Sequence, residues 1–299
     1  LMLQHAAALL QDGTDWHASG VQEHDLEENS TRWHPQGAWI RPARLVQAWL
    51  RHPGIRCQFG ARVTGLERSD GVWRLTGPEG QTWAEAELLV LANATGCVPL
   101  MLDPAHVDFL GEGLVERLGF LHAVHGTVSY AVHTTQPLAA HWPQQPVNGH
   151  GNFLPHVPLD AGPAWLAGST FEPDRIPEQT GHRLAPLADQ HRANAQRLSE
   201  LLPAVGADVA PAFARQEVLH WSATRCVTHD RVPWVGALND ASEAGSPSLW
   251  IHAGMGARGL TFSALGAELL VARLCREPWP LESSLARSLD VRRPKRKRS

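Results

Sequence analysis

Leu249-Trp250-Ile251-His252-Ala253-Gly254-Met255-Gly256-Ala257-Arg258-Gly259-Leu260 is the stretch whose reading decides the fold. The first five residues are a short apolar run, the length of a strand buried on both faces. Three glycines follow within six residues, and Leu260 to Cys275 then reads as a long helix. Glycine lets a backbone approach a ligand closely, and the N–H groups at a helix start attract negative or electron-rich groups. By itself the loop fits either an anion or cofactor cradle or a tight turn packing a helix on a strand. A second run, Glu87 to Ala92, has the same character and ends in Asn93-Ala94-Thr95-Gly96. In open α/β sheets, ligands bind outside the carboxyl ends of such strands.

Working outward, Pro42 to Trp49 carries apolar residues at helical spacing after a proline. Ile55 to Phe59, Ala61 to Arg68, Gly71 to Thr76 and Thr82 to Ala86 read as strands, the last two joined by the turn Gly77-Pro78-Glu79-Gly80. Val124 to His133, Asn152 to Pro155, Ala164 to Thr170 and Gln216 to Ala223 read as further strands. Leu184 to Leu202 is helical, with Leu187, His191, Ala195 and Leu198 on one face, and Pro203 ends it.

Composition narrows the function classes. The chain has 299 residues, 43% of them hydrophobic and 19% charged, enough for a substantial core. The longest apolar stretch, Leu88 to Leu102, is broken by Asn93, Gly96 and Pro99, so no membrane span is expected, and Leu1 to His5 shows no secretory signal. The four cysteines have no C-x-x-C spacing and suit a reduced, cytoplasmic compartment. The 17 histidines include no H-E-x-x-H, and no metal site is expected. Neither a G-x-S-x-G elbow nor a G-x-x-x-x-G-K-[ST] loop occurs, which argues against a serine hydrolase and a nucleoside triphosphatase. Six of the last eight residues are cationic: Arg292, Arg293, Lys295, Arg296, Lys297 and Arg298. They leave the rest of the chain acidic, a pattern of polyanion contact or of a solvated tail. Finally, Arg225-Cys226-Val227-Thr228-His229-Asp230-Arg231-Val232-Pro233-Trp234-Val235-Gly236 crowds polar residues before an apolar run. Arg225 suits either a bidentate grip on a carboxylate or a structural ion pair.

Taken with Trp39-Ile40-Arg41-Pro42-Ala43 and Leu89-Val90-Leu91-Ala92-Asn93-Ala94, these segments resemble the FAD-dependent oxidoreductase domain of the tRNA 5-methylaminomethyl-2-thiouridine biosynthesis family, within the D-amino-acid oxidase and glycine oxidase group. The resemblance implies an α/β, Rossmann-like FAD/NAD(P)-binding domain joined to an α+β substrate domain with a mixed sheet. The cofactor side is expected at 33–118 and 221–290, the substrate side at 1–32 and 119–220, and a basic tail at 291–299. The family's first βαβ unit is expected upstream of Leu1, which makes this an N-terminally truncated domain. The implied cofactor is FAD. The implied reaction is oxidative removal of the carboxymethyl group of 5-carboxymethylaminomethyl-(2-thio)uridine in tRNA, followed in the full family protein by an S-adenosylmethionine-dependent methyltransferase domain. By the resemblance, Arg225 holds the substrate carboxylate. Gly254, Gly256, Arg258, Gly259 and Leu260 lie along the flavin, Val63 meets the adenine from a strand, and Ala92, Asn93 and Ala94 lie near the dinucleotide. The tail cations would contact tRNA phosphates. The rival readings are a glycine- or sarcosine-oxidase-like enzyme on free amino acids and an inactive, flavin-less RNA-binding remnant.

Overall fold

The computed structural model describes residues 2–25, 27–28, 30–103, 110, 114, 116–117, 121–133, 139–174, 184–239 and 248–293. Its strands, in chain order, are β1 (Trp16–His17), β2 (Val21–Asp25), β3 (Ser30–His34), β4 (Trp39–Ile40), β5 (Gly65–Ser69), β6 (Val72–Thr76), β7 (Thr82–Ala86), β8 (Leu88–Leu91), β9 (Leu121–Val132), β10 (Val147–Asn148), β11 (Asn152–Leu159), β12 (Gly162–Gly168), β13 (Glu172–Asp174), β14 (Leu219–Thr228), β15 (Trp234–Ala237) and β16 (Ser248–Ala253). The chain divides into two compact units, Leu1–Arg56 with His125–Thr224 and Cys57–Val124 with Arg225–Ser299. Residues 33–56, expected on the cofactor side, group with the first unit.

The first unit is built on a mixed sheet of order β13-β9-β12-β11-β10-β2-β3, with β14 also on β9. The β10–β2 pair is parallel, while β10–β11, β11–β12, β12–β9 and β2–β3 are antiparallel. Two helices, Leu187–Leu201 and Pro203–Ala214, supply its cover. Phe153, Trp165 and Ala167 from the sheet cluster with Leu198, Leu201, Val205 and Val209. The expected helix face is rotated by about one residue: Gln190, Asn194, Leu198 and Leu201 are buried, and Leu187 is exposed. The cause is the sheet beneath, which presents the buried hydroxyls Thr127 and Ser129 to the first turns. Pro203 begins a second helix as well as ending the first, because a proline at the first helical turn loses no needed N–H.

In the second unit, β15-β16-β8 form a three-stranded sheet and β5-β6-β7 an antiparallel meander. β16 runs parallel to β8 and antiparallel to β15. The alternation of strand side chains sorts the core into two faces. Leu91, Leu249, Ile251 and Trp234 join Leu66, Trp73, Cys97 and Met101 on one face. Val235, with Val90 and Trp250 packed beside it, meets Leu269 and Leu270 of the Gly259–Cys275 helix on the other. A sheet covered on both sides is what a parallel pair requires.

Three expected strands differ; the one expected over Gln216 to Ala223 runs instead from Leu219 to Thr228, because Gln216 is left-handed at φ 57°. Ile55 to Phe59 forms none, and Ile55, Cys57 and Phe59 are exposed: five residues between Pro53-Gly54 and Gly60 bury no apolar face against which a strand could pair. The strand expected from Ala61 begins only at Gly65.

Candidate functional site

β8 and β16 pair from Leu88↔Ser248 to Leu91↔Ile251, so both chains leave the sheet at the same carboxyl edge. From β8, Ala92, Asn93 and Ala94 emerge exposed, and a single turn at Ala94–Gly96 lies against β16. Ala94 takes a left-handed φ of 56° there. From β16, Gly254 (φ 77°) and Gly256 (φ 56°) turn the chain back, and Arg258 N donates to Met255 O at 3.1 Å. The long helix then starts at Gly259, without a side-chain cap among the described residues. Asn93-Ala94 and Gly254–Leu260 are thereby brought to one edge of one sheet.

Each glycine has its own reason. A Cβ on Gly254 would lie 2.5 Å from Thr228 Cγ2, so the loop touches its neighbour with no room for a side chain. Gly256 needs its left-handed φ. A Cβ on Gly259 would meet nothing within 4 Å, which leaves the start of the helix open on that side. The three stand at G-x-G-x-x-G spacing, although a one-turn 3-10 segment, Gly256–Arg258, intervenes before the helix. An open, uncapped helix start beside the carboxyl edge of parallel strands fits a group that bears hydrogen-bond-accepting oxygens and takes on negative charge, as a flavin does on reduction. Val63 lies ahead of β5, not on a strand, and packs against the core cluster that includes Leu66 and Trp73.

Arg225 sits near the end of β14, and Val227 two residues on forms an antiparallel bridge with Met255 of the glycine loop. The strand therefore puts Arg225 about 7 Å along the chain from the loop's partner residue. Its guanidinium is half-buried, and burial lowers its pKa from the ordinary value. Cys226 faces the core. Burial raises its thiol pKa, and the Gly254 N–H partly offsets that rise. Cys97 is pushed up to about 12 by burial and by the neighbouring Cys226. Both thiols are therefore packing groups and not nucleophiles.

The polar motif after β14 has a role that pattern reading missed. Asp230 Oδ1 accepts from Val232 N at 3.1 Å, closing an Asx turn, and Thr228 Oγ1 lies 3.1 Å from the same oxygen. Arg293 reaches both carboxylate oxygens of Asp230, at 2.7 and 3.0 Å. Burial pushes the Asp230 pKa up, but the Arg293, Val232 and Thr228 contacts outweigh it and hold it below the usual range. Arg293 is thus a structural residue and not a tail cation free for phosphate. Arg292 is exposed but donates to Leu238 O at 3.3 Å, and Val291 is fully buried, so the expected tail boundary at 291 falls inside packed structure. Lys295, Arg296, Lys297 and Arg298 lie outside the described residues. The proline of the motif, Pro233, leads into β15, where Gly236 admits Arg273, whose Nη1 donates to Val235 O at 2.6 Å. The signal that could have found this was the Asp-x-Val spacing of the turn together with an arginine beyond the last helix.

Among the described residues no group of three or more His, Cys, Asp or Glu is placed to hold a metal, and no helix is long and apolar enough to cross a membrane.

Comparison with known proteins follows the same lines. Residues 12–273 match the family model "FAD dependent oxidoreductase". The chain is 40% identical over 301 aligned positions to the tRNA 5-methylaminomethyl-2-thiouridine biosynthesis bifunctional protein MnmC of Albidiferax ferrireducens, covering 98% of this chain and 48% of that protein. It is 37% identical to the protein of the same name from Delftia acidovorans, covering 100% of this chain and 50% of that protein. The chain therefore spans about half the length of the curated relatives it matches. Among solved structures, glycine oxidase from Geobacillus kaustophilus shares the fold with a TM-score of 0.65 at 16% identity, over 98% of this chain and 79% of that one. The family match spans both units and includes the glycine loop at the carboxyl edge of β16, and on that ground the chain belongs to the FAD-dependent oxidoreductase family.

Proposed function

We propose that this chain is the oxidase portion of a tRNA wobble-uridine-modifying enzyme. Its substrate would be the secondary amine of 5-carboxymethylaminomethyl-(2-thio)uridine, and its product the 5-aminomethyl nucleoside. The names of its 37–40% identical relatives support the tRNA substrate. FAD, when bound, supplies a two-electron acceptor for the hydride on the carbon between amine and carboxylate. The resulting imine takes up water and releases the two-carbon fragment as glyoxylate. In the whole protein a methyltransferase domain would then methylate the freed amine. The cytoplasm, where tRNA is modified, is the matching compartment.

The residues do positioning work. Arg225 would grip the carboxylate through its planar fork and so aim the reacting C–H bond. Gly254, Gly256, Arg258, Gly259 and Leu260 would hold the flavin along their backbone. Ala92, Asn93 and Ala94 would flank the dinucleotide, and Val63 would meet the adenine through its main chain. Lys295 to Arg298 would add phosphate contacts. The observation that carries this reading is the Val227–Met255 bridge, which ties the strand bearing Arg225 to the glycine loop.

The test gives the FAD-supplemented chain two substrates: tRNA carrying the carboxymethylaminomethyl nucleoside, and free glycine. Nucleoside mass analysis is expected to show loss of the carboxymethyl group, and Arg225→Ala is expected to lower that rate about 100-fold while leaving the unfolding midpoint nearly unchanged. Turnover of glycine with intact modified tRNA would instead establish a free amino-acid oxidase, a reading that the glycine oxidase fold favours.

A further inference from the structure

Arg293 stands out because it is buried, charged and far in sequence from the turn it holds. Its side chain is only 9% exposed and its partner Asp230 21%. Every nitrogen of the guanidinium is used. Nε and Nη2 take the two oxygens of Asp230, and Nη2 also donates to Val232 O at 2.7 Å. Nη1 donates to Pro233 O and Asp290 O, both at 3.1 Å. The segment carrying Arg293 is itself fastened, since Arg117 Nη1 donates to Val291 O at 3.1 Å and also to Arg293 O.

What the arginine cinches is the turn from Thr228 to Pro233. The single Thr228 hydroxyl proton is shared between Val232 O at 2.8 Å and Asp230 Oδ1 at 3.1 Å. Arg231 in this turn is left-handed at φ 59°. Thr228 is the wall against which Gly254 rests, and its neighbour Val227 bridges Met255. A contact chain therefore runs from Arg293 through Asp230 and Thr228 to Gly254, the residue where β16 becomes the cofactor loop.

We infer that Arg293 is a positioning residue for the flavin loop, holding Gly254 to Gly259 in its ligand-ready conformation through Asp230 and Thr228. The inference rests on the assignment of that loop to the cofactor. Lysine would keep the charge but has one nitrogen where the site uses three, so it should not replace arginine.

The test uses the full chain. Hydrogen exchange without cofactor is followed by mass spectrometry in Arg293→Ala, Arg293→Lys and Asp230→Asn, the last a milder change that keeps the side-chain shape. Arg273→Ala serves as a control, because Arg273 also binds carbonyls, Val235 O and Ala286 O, and pairs with Asp290 Oδ2 at 3.0 Å, but touches no residue of the turn from Thr228 to Pro233. FAD affinity is read in parallel by tryptophan quenching. The expected result is faster exchange at 254–259 in the Arg293 and Asp230 variants, with the 187–201 helix unchanged. FAD affinity should fall by roughly tenfold or more in Arg293→Ala, without rescue by lysine. Unchanged exchange at 254–259, or an equal effect of Arg273→Ala, would overturn the inference. A wild-type chain that takes no FAD would sink the cofactor assignment instead, while the exchange contrast would still decide the clamp.

Discussion

The two units cover a sheet with a helix in opposite ways. In the second unit the Gly259–Cys275 helix presents Leu269, Leu270 and Ala272, and Gly266 lets it approach His252 of β16. That interface is apolar apart from two side chains: His252, whose Nε2 lies 3.3 Å from Phe262 O and whose pKa is lowered by burial, and Arg273 near the helix end, whose Nη1 donates to Val235 O at 2.6 Å. In the first unit the Leu187–Leu201 helix buries two amides instead. Asn194 Nδ2 donates to Thr127 O at 2.9 Å and to Ser129 Oγ at 3.0 Å. Gln190 Oε1 accepts from Thr127 Oγ1, and Gln190 Nε2 donates to Ala185 O at 2.8 Å. Ser129 Oγ and His191 Nδ1 are 2.8 Å apart. An apolar interface sets helix distance by the size of one residue, whereas a hydrogen-bonded one sets its rotation and register. The apolar helix carries the glycine loop at its start, so distance is what matters there.

Two substitutions sharpen that contrast. The larger effect is expected from Asn194→Ala. It leaves Thr127 O and Ser129 Oγ buried with a lost donor, and should cost about 3 kcal/mol in denaturant unfolding. A cost under about 0.5 kcal/mol would mean the polar network is idle. Gly266→Ala comes next. Its Cβ would lie 2.2 Å from His252 Nε2, and His252 is mostly buried, so the helix must shift at about 2 kcal/mol. Because the helix start moves with it, FAD affinity should fall as well. A variant as stable and as tight-binding as wild type would show that the helix distance is not set at this glycine.

The same contrast explains what could be read from sequence. β16, the glycine loop and the apolar helix were legible because apolar periodicity and glycine are local signals. So were β6 and β7, bounded by their turns. The rotated face of the Leu187–Leu201 helix was not, because Gln190 and Asn194 look like surface residues until Thr127 and Ser129 are placed beneath them. The Pro203–Ala214 helix was lost because proline reads as a stop as readily as a start. Arg293 was misread because charge density near a terminus says nothing of a carboxylate 63 residues away in sequence. Of the candidate site, the glycines and strand ends were legible as places. The Thr228–Asp230–Arg293 contacts that shape them were not, since they join segments that only the fold brings together.

The most direct test of the account is an FAD titration of the purified chain, read by quenching of its twelve tryptophans, with circular dichroism establishing that it is folded. Saturable quenching that Gly256→Val abolishes without loss of helix signal is the predicted result, since valine is strained at that left-handed position. A folded chain whose fluorescence ignores FAD, or a Gly256→Val variant that binds it equally well, would contradict the assignment of this loop to the flavin.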